Sequence, residues 1–223
     1  MDKIEYRTLN DRAYDRIKDG LMAATFRPGQ VLVIRNLAET YGVSTTPVRE
    51  ALQRLVAERL LVLLPNRSIA VPELEAAKYA EILRIRCELE GLAAELAAPR
   101  IGAAERHALD GIAAEIDAAL LAHDHAAYRR LNQAFHFALY QEAGSPRLLQ
   151  LIQDLWGQTG PYMNELFGEP AYEPRANEGH RAILAALAKG DPAGARAGVV
   201  ADLTVAAGYL VPHLEALEAL EPA

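Results

Sequence analysis

The sequence predicts a mostly α-helical protein in two parts: an N-terminal winged helix-turn-helix, with a small β wing, and an all-α bundle of about six helices. Two observations support this fold class. Residues 34–71 combine two short helical patterns, a glycine between them and two β runs. From residue 73 onward β signals disappear, and apolar residues recur at three- and four-residue steps. We therefore expect domains at 1–72 and 73–223, with residues 71–73 as the hinge.

The helix-turn-helix is predicted from a compact set of local signals. Leu37 and Ala38 supply the buried face of its first helix, and Gly42 stands at the reversal, where a left-handed backbone costs least. Ser44 is the expected N-cap of the second helix, and Pro47 lies in the first turn, where its missing N–H is tolerated. With the wing that follows, this arrangement is typical of proteins that insert a helix N-terminus into the DNA major groove.

Several polar and basic residues of this segment are candidate DNA contacts. Hydroxyls and backbone N–H groups at a helix N-terminus can bind phosphates and base edges, helped by the helix dipole. Arginines on either helix or on the wing can reach phosphates or the minor groove, although any one of them could equally belong to a solvated surface. The predicted contacts are Arg35, Ser44, Thr45, Thr46, Arg49, Arg54 and Arg67.

Charge is divided unevenly along the chain, whose formal net charge is −7. Residues 1–72 carry 11 Lys and Arg against 8 Asp and Glu, a net charge of +3. Residues 73–223 carry 12 against 22, a net charge of −10. This asymmetry restricts nucleic-acid binding to the N-terminal third and argues against a structural nucleoid protein.

The bulk composition predicts a cytoplasmic protein. The N-terminus is too polar for a secretory signal, and no run of about eighteen apolar residues predicts a membrane span. The single cysteine, Cys87, cannot form an intrachain disulfide, which suits a reducing compartment.

Helical periodicity continues through the C-terminal part. The predicted helices cover residues 74–98, 103–121, 124–144, 145–167, 175–189 and 191–212 or beyond. The apolar positions that we expect on the buried face of the first of these are Ile82, Ile85, Leu89, Leu92 and Leu96. Successive helices without strands predict an all-α bundle.

The N-terminal motifs resemble the DNA-binding domain of the GntR family of bacterial regulators. The resemblance covers roughly residues 8–72 and is carried by Pro28-Gly29, by Leu37-Ala38 and above all by the TPVREAL run at residues 46–52. Thr45 stands where the family usually has a basic residue, and Ser68 replaces the usual wing glycine. These departures affect the expected operator sequence rather than the fold.

Four polar residues suggest a site in the bundle. Asn132 and His136 are four apart and share a helix face, while His180 and Asp202 belong to later helices. Imidazoles and carboxylates on facing helices are how bundles build metal sites. Spacing alone also allows His136 to be a core histidine between two phenylalanines, and His180 to be simply exposed.

The same region resembles the FCD ligand-binding domain of the FadR subfamily over about residues 75–215. The matching segments are residues 83–90, 131–136, 143–146 and 178–191. The resemblance implies a divalent metal held by an aspartate and three histidines. Asn132 takes the aspartate's position, His136 and His180 match two histidines, and Asp202 falls where the third would be. This donor set suits Zn²⁺, Ni²⁺ or Mn²⁺ about equally, and the alternative is a polar pocket without metal.

An effector site is predicted from three further residues. The resemblance makes Arg86 a candidate for holding a carboxylate bidentately, although its spacing to Glu90 also fits an ion pair on the helix surface. Tyr162 and Asn164 could line the same pocket, and Tyr162 fits an interface residue as well. We expect the effector to be a small organic or sugar acid.

A third histidine-containing motif, His123-Asp124-His125, also resembles a ligand cluster. It falls at a predicted helix start, where Asp124 is explained as the N-cap. The structural interpretation is therefore favoured over a metal site.

The function predicted from these features is that of a metabolite-responsive bacterial transcription regulator, expected to be a repressor. One helix-turn-helix makes few contacts, so we expect a homodimer on a pseudo-palindromic double-stranded operator. An effector would act by favouring one arrangement of the two DNA-binding domains. The rival prediction is a helical metal-dependent hydrolase or lyase fused to a DNA-binding module, because such a metal could activate water. The sequence offers no convincing general base for that chemistry.

Overall fold

The computed structural model describes residues 8–169 and 171–220. Two compact units are present: the first contains the described residues up to Glu73 together with Trp156–Pro161, and the second contains Leu74–Leu155 and the described residues from Tyr162 onward. In chain order the helices and strands are α1 (Leu9–Met22), α2 (Ile34–Tyr41), α3 (Thr45–Ala57), β1 (Val62–Leu63), β2 (Ile69–Ala70), α4 (Ala76–Ala97), α5 (Ala103–Leu121), α6 (His125–Gln141), α7 (Pro146–Thr159), α8 (Glu178–Ala188) and α9 (Pro192–Glu218). The predicted fold class, mostly α with a small β wing, is confirmed.

The first unit has the expected helix-turn-helix. Helix α2 ends at Gly42, whose φ of 65° is left-handed, and Ser44 occupies the N-cap position of α3. The Ser44 hydroxyl makes no capping hydrogen bond, so it is not engaged by its own helix. Beneath α3, Val48, Leu52 and Leu55 are fully buried in a core shared with α1.

The wing is a two-stranded antiparallel hairpin in which Leu63 pairs with Ile69. Its turn is closed by the backbone N–H of Leu64, which donates to the Ser68 carbonyl at 2.8 Å. Arg67 adopts a left-handed φ of 63° at this turn and is exposed. The wing therefore presents an arginine at its tip.

The second unit is a helical bundle in which α9 packs along α4 and α8, and α5 packs against α6 and α8. Gly198 of α9 permits a close approach to α8, because a Cβ there would lie 2.9 Å from Cγ1 of Ile183. By length and composition α9 could cross a membrane, but the core helix of a soluble protein passes the same test. Its packing against two other helices is that of a core helix.

Two details of the predicted helices were wrong. Helix α7 ends at Thr159 instead of near Phe167, because Gly160 and Pro161 interrupt it and short 3₁₀ turns follow. On α4 only part of the expected buried stripe is buried: Ile82 is, whereas Ile85, Leu92 and Leu96 are 44%, 38% and 41% exposed. The inner face of α4 carries small residues and a buried ion pair in their place, and periodicity does not distinguish an inward apolar face from an outward one.

Candidate metal centre and DNA-binding surface

All the predicted DNA contacts are exposed in the first unit. Arg35, Arg49 and Arg67 form no ion pair or hydrogen bond with any side chain that the structure describes. Arg54 differs, because its Nε lies 3.0 Å from Oε1 of Glu58 and its guanidinium carbon lies 3.8 Å from the ring centroid of Tyr14. Arg54 is thus engaged within its own unit, and the DNA-binding roles of all these residues stay predictions.

The predicted metal ligands lie on three helices of the second unit: α6 carries Asn132 and His136, α8 carries His180 and α9 carries Asp202. Both histidines are buried, so the alternative of an exposed His180 was wrong. Their Nε2 atoms are 3.2 Å apart, and Oδ2 of Asp202 lies 3.1 Å from Nε2 of His136. Three helices therefore bring three ligand atoms to within 4.8 Å of one another. Asn132 is buried one turn before His136.

Hydrogen bonds determine which nitrogen of His180 faces this cluster. The side-chain NH₂ of Asn177 donates to the Ala113 carbonyl at 3.0 Å and to Oδ1 of Asp117 at 2.6 Å. The amide oxygen of Asn177 therefore points to Nδ1 of His180, 2.9 Å away. An amide oxygen only accepts, so Nδ1 carries the proton and Nε2 presents a lone pair.

A second chain of hydrogen bonds orients His136. Arg86 and Glu90 form an ion pair with 2.6 Å between Nε and Oε1, and Glu90 accepts a 2.8 Å hydrogen bond from the Tyr140 hydroxyl. The Tyr140 oxygen lies 3.0 Å from Nδ1 of His136. Because that hydroxyl proton is committed to Glu90, Nδ1 of His136 is the donor and Nε2 points into the cluster. The interpretation of Arg86 and Glu90 as a surface pair was wrong, since both are buried.

The cluster consequently consists of two imidazole lone pairs and a carboxylate oxygen. Acceptors at such distances repel one another unless a proton or a metal ion lies between them. Burial lowers the pKa of His180 to about 4, which opposes protonation of that ring. Burial alone would raise the pKa of Asp202, but its close contact with His136 and the positive charge of Arg86 outweigh burial and keep the pKa below its ordinary value. The donor set fits a divalent transition metal by ligand type.

Gly179 at the start of α8 allows the Asp202 carboxylate to reach the histidines. A Cβ at Gly179 would overlap the carboxylate group of Asp202, and the contact involves its Oδ1 atom. Only glycine leaves this space open. Sequence reasoning did not identify Gly179, Asn177 or Tyr140 as parts of the site, because their roles depend on contacts between helices.

Comparison with known proteins then places the chain. Residues 9–71 match the gntR family of bacterial regulatory proteins, and residues 81–204 match the FCD domain. The HTH-type transcriptional regulator McbR of Escherichia coli K12 is 33% identical over 196 residues, which is 87% of this chain and 89% of that protein. The chain belongs to the GntR family.

This regulator also resembles a solved structure described as E. coli McbR/YncC, with a TM-score of 0.86, 30% identity, and 93% of this chain and 99% of that chain covered. The HTH-type transcriptional repressor GlaR of E. coli K12 is 30% identical over 156 residues, covering 67% of this chain and 70% of that protein. Because its relatives are named transcription regulators, the regulator interpretation is confirmed over the hydrolase or lyase alternative.

A cavity of about 200 Å³ opens beside the cluster of His136, His180 and Asp202. Asp202 lines it, as does Arg175, whose Nε lies 3.3 Å from Oε2 of Glu178. Sequence reasoning missed Arg175, which ends a 3₁₀ turn (Glu173–Arg175) at the position where the helix 175–189 was predicted to begin.

The predicted effector residues lie elsewhere in the second unit. Arg86 is held by Glu90, and the Tyr162 hydroxyl accepts a hydrogen bond from the backbone N–H of Leu74. Asn164 ends a 3₁₀ turn (Gly160–Asn164). None of the three is among the residues that line the cavity in the part of the chain that the structure describes. Their effector roles stay predictions.

Proposed function

We propose that this regulator is a repressor that binds operator DNA as a homodimer and is released by a small carboxylate. The observation that carries this proposal is the cluster formed by His136, His180 and Asp202, whose ligand atoms are close enough to hold a metal ion and which lies beside a cavity of ligand size. We place the regulator in the cytoplasm, where its operator is found.

The residues that would hold the metal are His136 and His180 through Nε2 and Asp202 through a carboxylate oxygen, with the Asn132 amide oxygen as a further, weaker donor. Zn²⁺, Ni²⁺ and Mn²⁺ all suit this set by ligand type. When bound, such an ion supplies a positive charge that attracts a carboxylate. The surrounding residues orient the two imidazoles and exclude water from their Nε2 atoms.

The effector would enter through the cavity beside Asp202. Arg175 lies at this cavity and could exchange its ion pair with Glu178 for a bidentate contact with a carboxylate. We expect Arg175→Ala to raise the effector concentration needed for operator release about 10-fold, because the variant loses the charged hydrogen bonds to the carboxylate. The competing candidate is Arg86, and Arg86→Ala is the comparison that distinguishes the two positions.

The DNA surface is tested by two arginines of α3. Arg49 is exposed near the helix N-terminus without a partner among the described side chains, whereas Arg54 is already paired. We expect Arg49→Ala to weaken operator binding by about 1–3 kcal/mol, and Arg54→Ala to weaken it less. Fluorescence anisotropy at a fixed salt concentration measures both. Wild-type affinity in Arg49→Ala would show that α3 is not the recognition helix.

The homodimer is proposed to form through the outer face of α4. Ile85, Leu92 and Leu96 are four and seven residues apart and therefore share one exposed face, and Leu89 between them is half-buried. This spacing is that of a helix–helix seam between two copies. Two-fold pairing would supply the second DNA-binding unit that a palindromic operator requires.

The decisive experiment combines metal analysis with an effector screen. Tag-free protein is analysed for metal, and its melting temperature is measured with a panel of organic acids, each with and without chelator. We expect bound transition metal, a lower melting temperature after chelation, and acids that stabilise only the metal-loaded protein. The metal-centred proposal would be refuted if the protein contained no metal and if its melting temperature did not change on addition of chelator, Zn²⁺, Ni²⁺ or Mn²⁺.

A further inference from the structure

The turn between α5 and α6 carries two histidines that the central cluster does not use. His123 follows the end of α5, and His125 is the first residue of α6. Nδ1 of His123 lies 2.9 Å from Oε1 of Glu173, and Nε2 of His125 lies 3.5 Å from the same oxygen. Glu173 begins the 3₁₀ turn that contains Arg175. Residues 50 positions apart in the chain thus meet around one carboxylate oxygen.

Asp124, which lies between the histidines in the sequence, has a separate role. Its Oδ1 accepts a hydrogen bond from the Ala127 backbone N–H at 2.9 Å, as an N-cap does. The N-cap explains Asp124 but neither histidine. The structural interpretation that the sequence favoured for this motif therefore accounts for one of its three residues.

One nitrogen of this cluster is left without a hydrogen bond. Nε2 of His125 is shielded from solvent and has no hydrogen-bond partner among the described residues, although Oε1 of Glu173 lies nearby. The ring is held by stacking on Phe167, with 4.0 Å between centroids and an interplanar angle of 14°. A shielded imidazole nitrogen with a fixed direction and no hydrogen bond is a candidate ligand atom for a metal ion.

The spacing of these atoms fits a metal. The three ligand atoms all lie within 4.8 Å of one another. Around tetrahedral Zn²⁺, with bonds of about 2.0–2.2 Å, neighbouring ligand atoms are separated by about 3.3 Å. The His123 side chain is 76% exposed, so an ion can enter and a water molecule can complete its coordination.

We propose that His123, His125 and Glu173 form a second metal site of this regulator, whose ligand types suit Zn²⁺ or a similar borderline divalent ion. An ion bound there would tie the Glu173 turn to the start of α6. That turn includes Arg175, and its neighbour Tyr172 lines the 200 Å³ cavity and hydrogen-bonds to Tyr128 of α6 at 2.8 Å. Metal binding would therefore hold one wall of the cavity in place. The site itself does not depend on the proposed function of the central cluster.

The test counts zinc ions in tag-free, full-length variants by equilibrium dialysis against Zn²⁺ followed by elemental analysis. His123→Asn keeps a residue that tolerates the left-handed φ of 52° at this position, and Glu173→Gln keeps size and hydrogen bonding. His107→Asn, at an exposed histidine of α5, is the matched control. We expect both site variants to bind one equivalent less than wild type, or at least 10-fold more weakly, and the control to match wild type.

A second measurement follows the consequence for the cavity wall. Hydrogen exchange in peptides that contain Glu173 should slow on addition of Zn²⁺ in wild type and in His136→Gln, but not in His123→Asn. Equal zinc content in wild type and both site variants would overturn the proposal, and so would loss of the same equivalent in the His107 control. Failure of the central site looks different, because His136→Gln would then lose no zinc while His123→Asn still did.

Discussion

The Tyr140 hydroxyl connects the central cluster of His136, His180 and Asp202 to the buried ion pair of Arg86 and Glu90, and Tyr140→Phe removes that connection alone. The hydroxyl lies 2.8 Å from Oε2 of Glu90 and 3.0 Å from Nδ1 of His136, in a side chain that is 1% exposed. Phenylalanine fills nearly the same volume, so the change deletes two hydrogen bonds without opening a cavity. It removes the oxygen that accepts from the His136 N–H, and it removes one hydrogen bond to Glu90.

Two effects of different size follow. A buried donor left unpaired costs about 1–3 kcal/mol, so the metal-free variant should lose that much unfolding free energy. Without its acceptor, the His136 ring is also free to turn or to change tautomer. Loss of such an orienting partner lowers metal affinity about 10–100-fold. The metal-loaded variant should therefore be destabilised more than the metal-free variant.

The assay is chemical unfolding monitored by circular dichroism, with chelator and with saturating Zn²⁺, together with a competition titration for zinc affinity. Tyr209→Phe is the matched control, because its hydroxyl donates to the exposed Ala171 carbonyl at 3.1 Å, away from the histidines. It should lose less than about 1 kcal/mol and bind zinc as wild type does. If Tyr140→Phe kept wild-type zinc affinity while His136→Gln lost it, the argument that this hydroxyl sets the tautomer would be refuted.

Three further outcomes are expected. Gly179→Ala should weaken metal binding at the central cluster about 10-fold or more, because the added Cβ displaces the Asp202 carboxylate. Gly111→Ala is the control and should not weaken it, because a Cβ there meets no atom within 4 Å. Competition titration measures both variants. Burial lowers the pKa of His180 from 6.5 to about 4 in the folded protein, so between these pH values the unfolded chain binds more protons than the folded chain. The free energy of unfolding should therefore fall as the pH is lowered from 6.5 to about 4. Denaturant titrations in the presence of chelator measure this change. Leu92→Glu should give monomers in sedimentation velocity and weaken operator binding. Leu121→Glu is the control and should leave the dimer intact, since Leu121 is 86% exposed and lies outside the proposed interface. A Leu92→Glu variant that remains dimeric would exclude the outer face of α4 as the dimer interface.

Local signals in the sequence were sufficient to predict the helix-turn-helix. Gly42 adopts the left-handed turn predicted for it, and Ser44 occupies the predicted N-cap position, although its hydroxyl makes no capping hydrogen bond. The limits of α5 and the Asp124 cap were predicted for the same reason. Such preferences belong to short segments of chain and need no tertiary information.

The sequence also singled out His136, His180 and Asp202, whose ligand atoms the fold brings together. Their separation along the chain could not show how each ring is turned. That depends on Asn177 and Tyr140, which act across helices and belong to no sequence pattern of their own. The periodicity of α4 likewise could not show that part of its apolar stripe faces outward, because inner and outer faces repeat at the same interval.

The second histidine cluster shows the same division between sequence and structure. His123 and His125 are visible as a pair in the sequence, but Glu173 is far from them along the chain and lies in a segment predicted to be a loop. The packing of Phe167 against His125 and the hydrogen bond between Tyr172 and Tyr128 bring that segment to the start of α6. The sequence by itself determined which ligand types are present, and the tertiary structure decided which of them meet. A coordination site depends on distances of a few ångströms between separate helices and turns. Local conformational preferences act within each of these elements and do not set the distances between them.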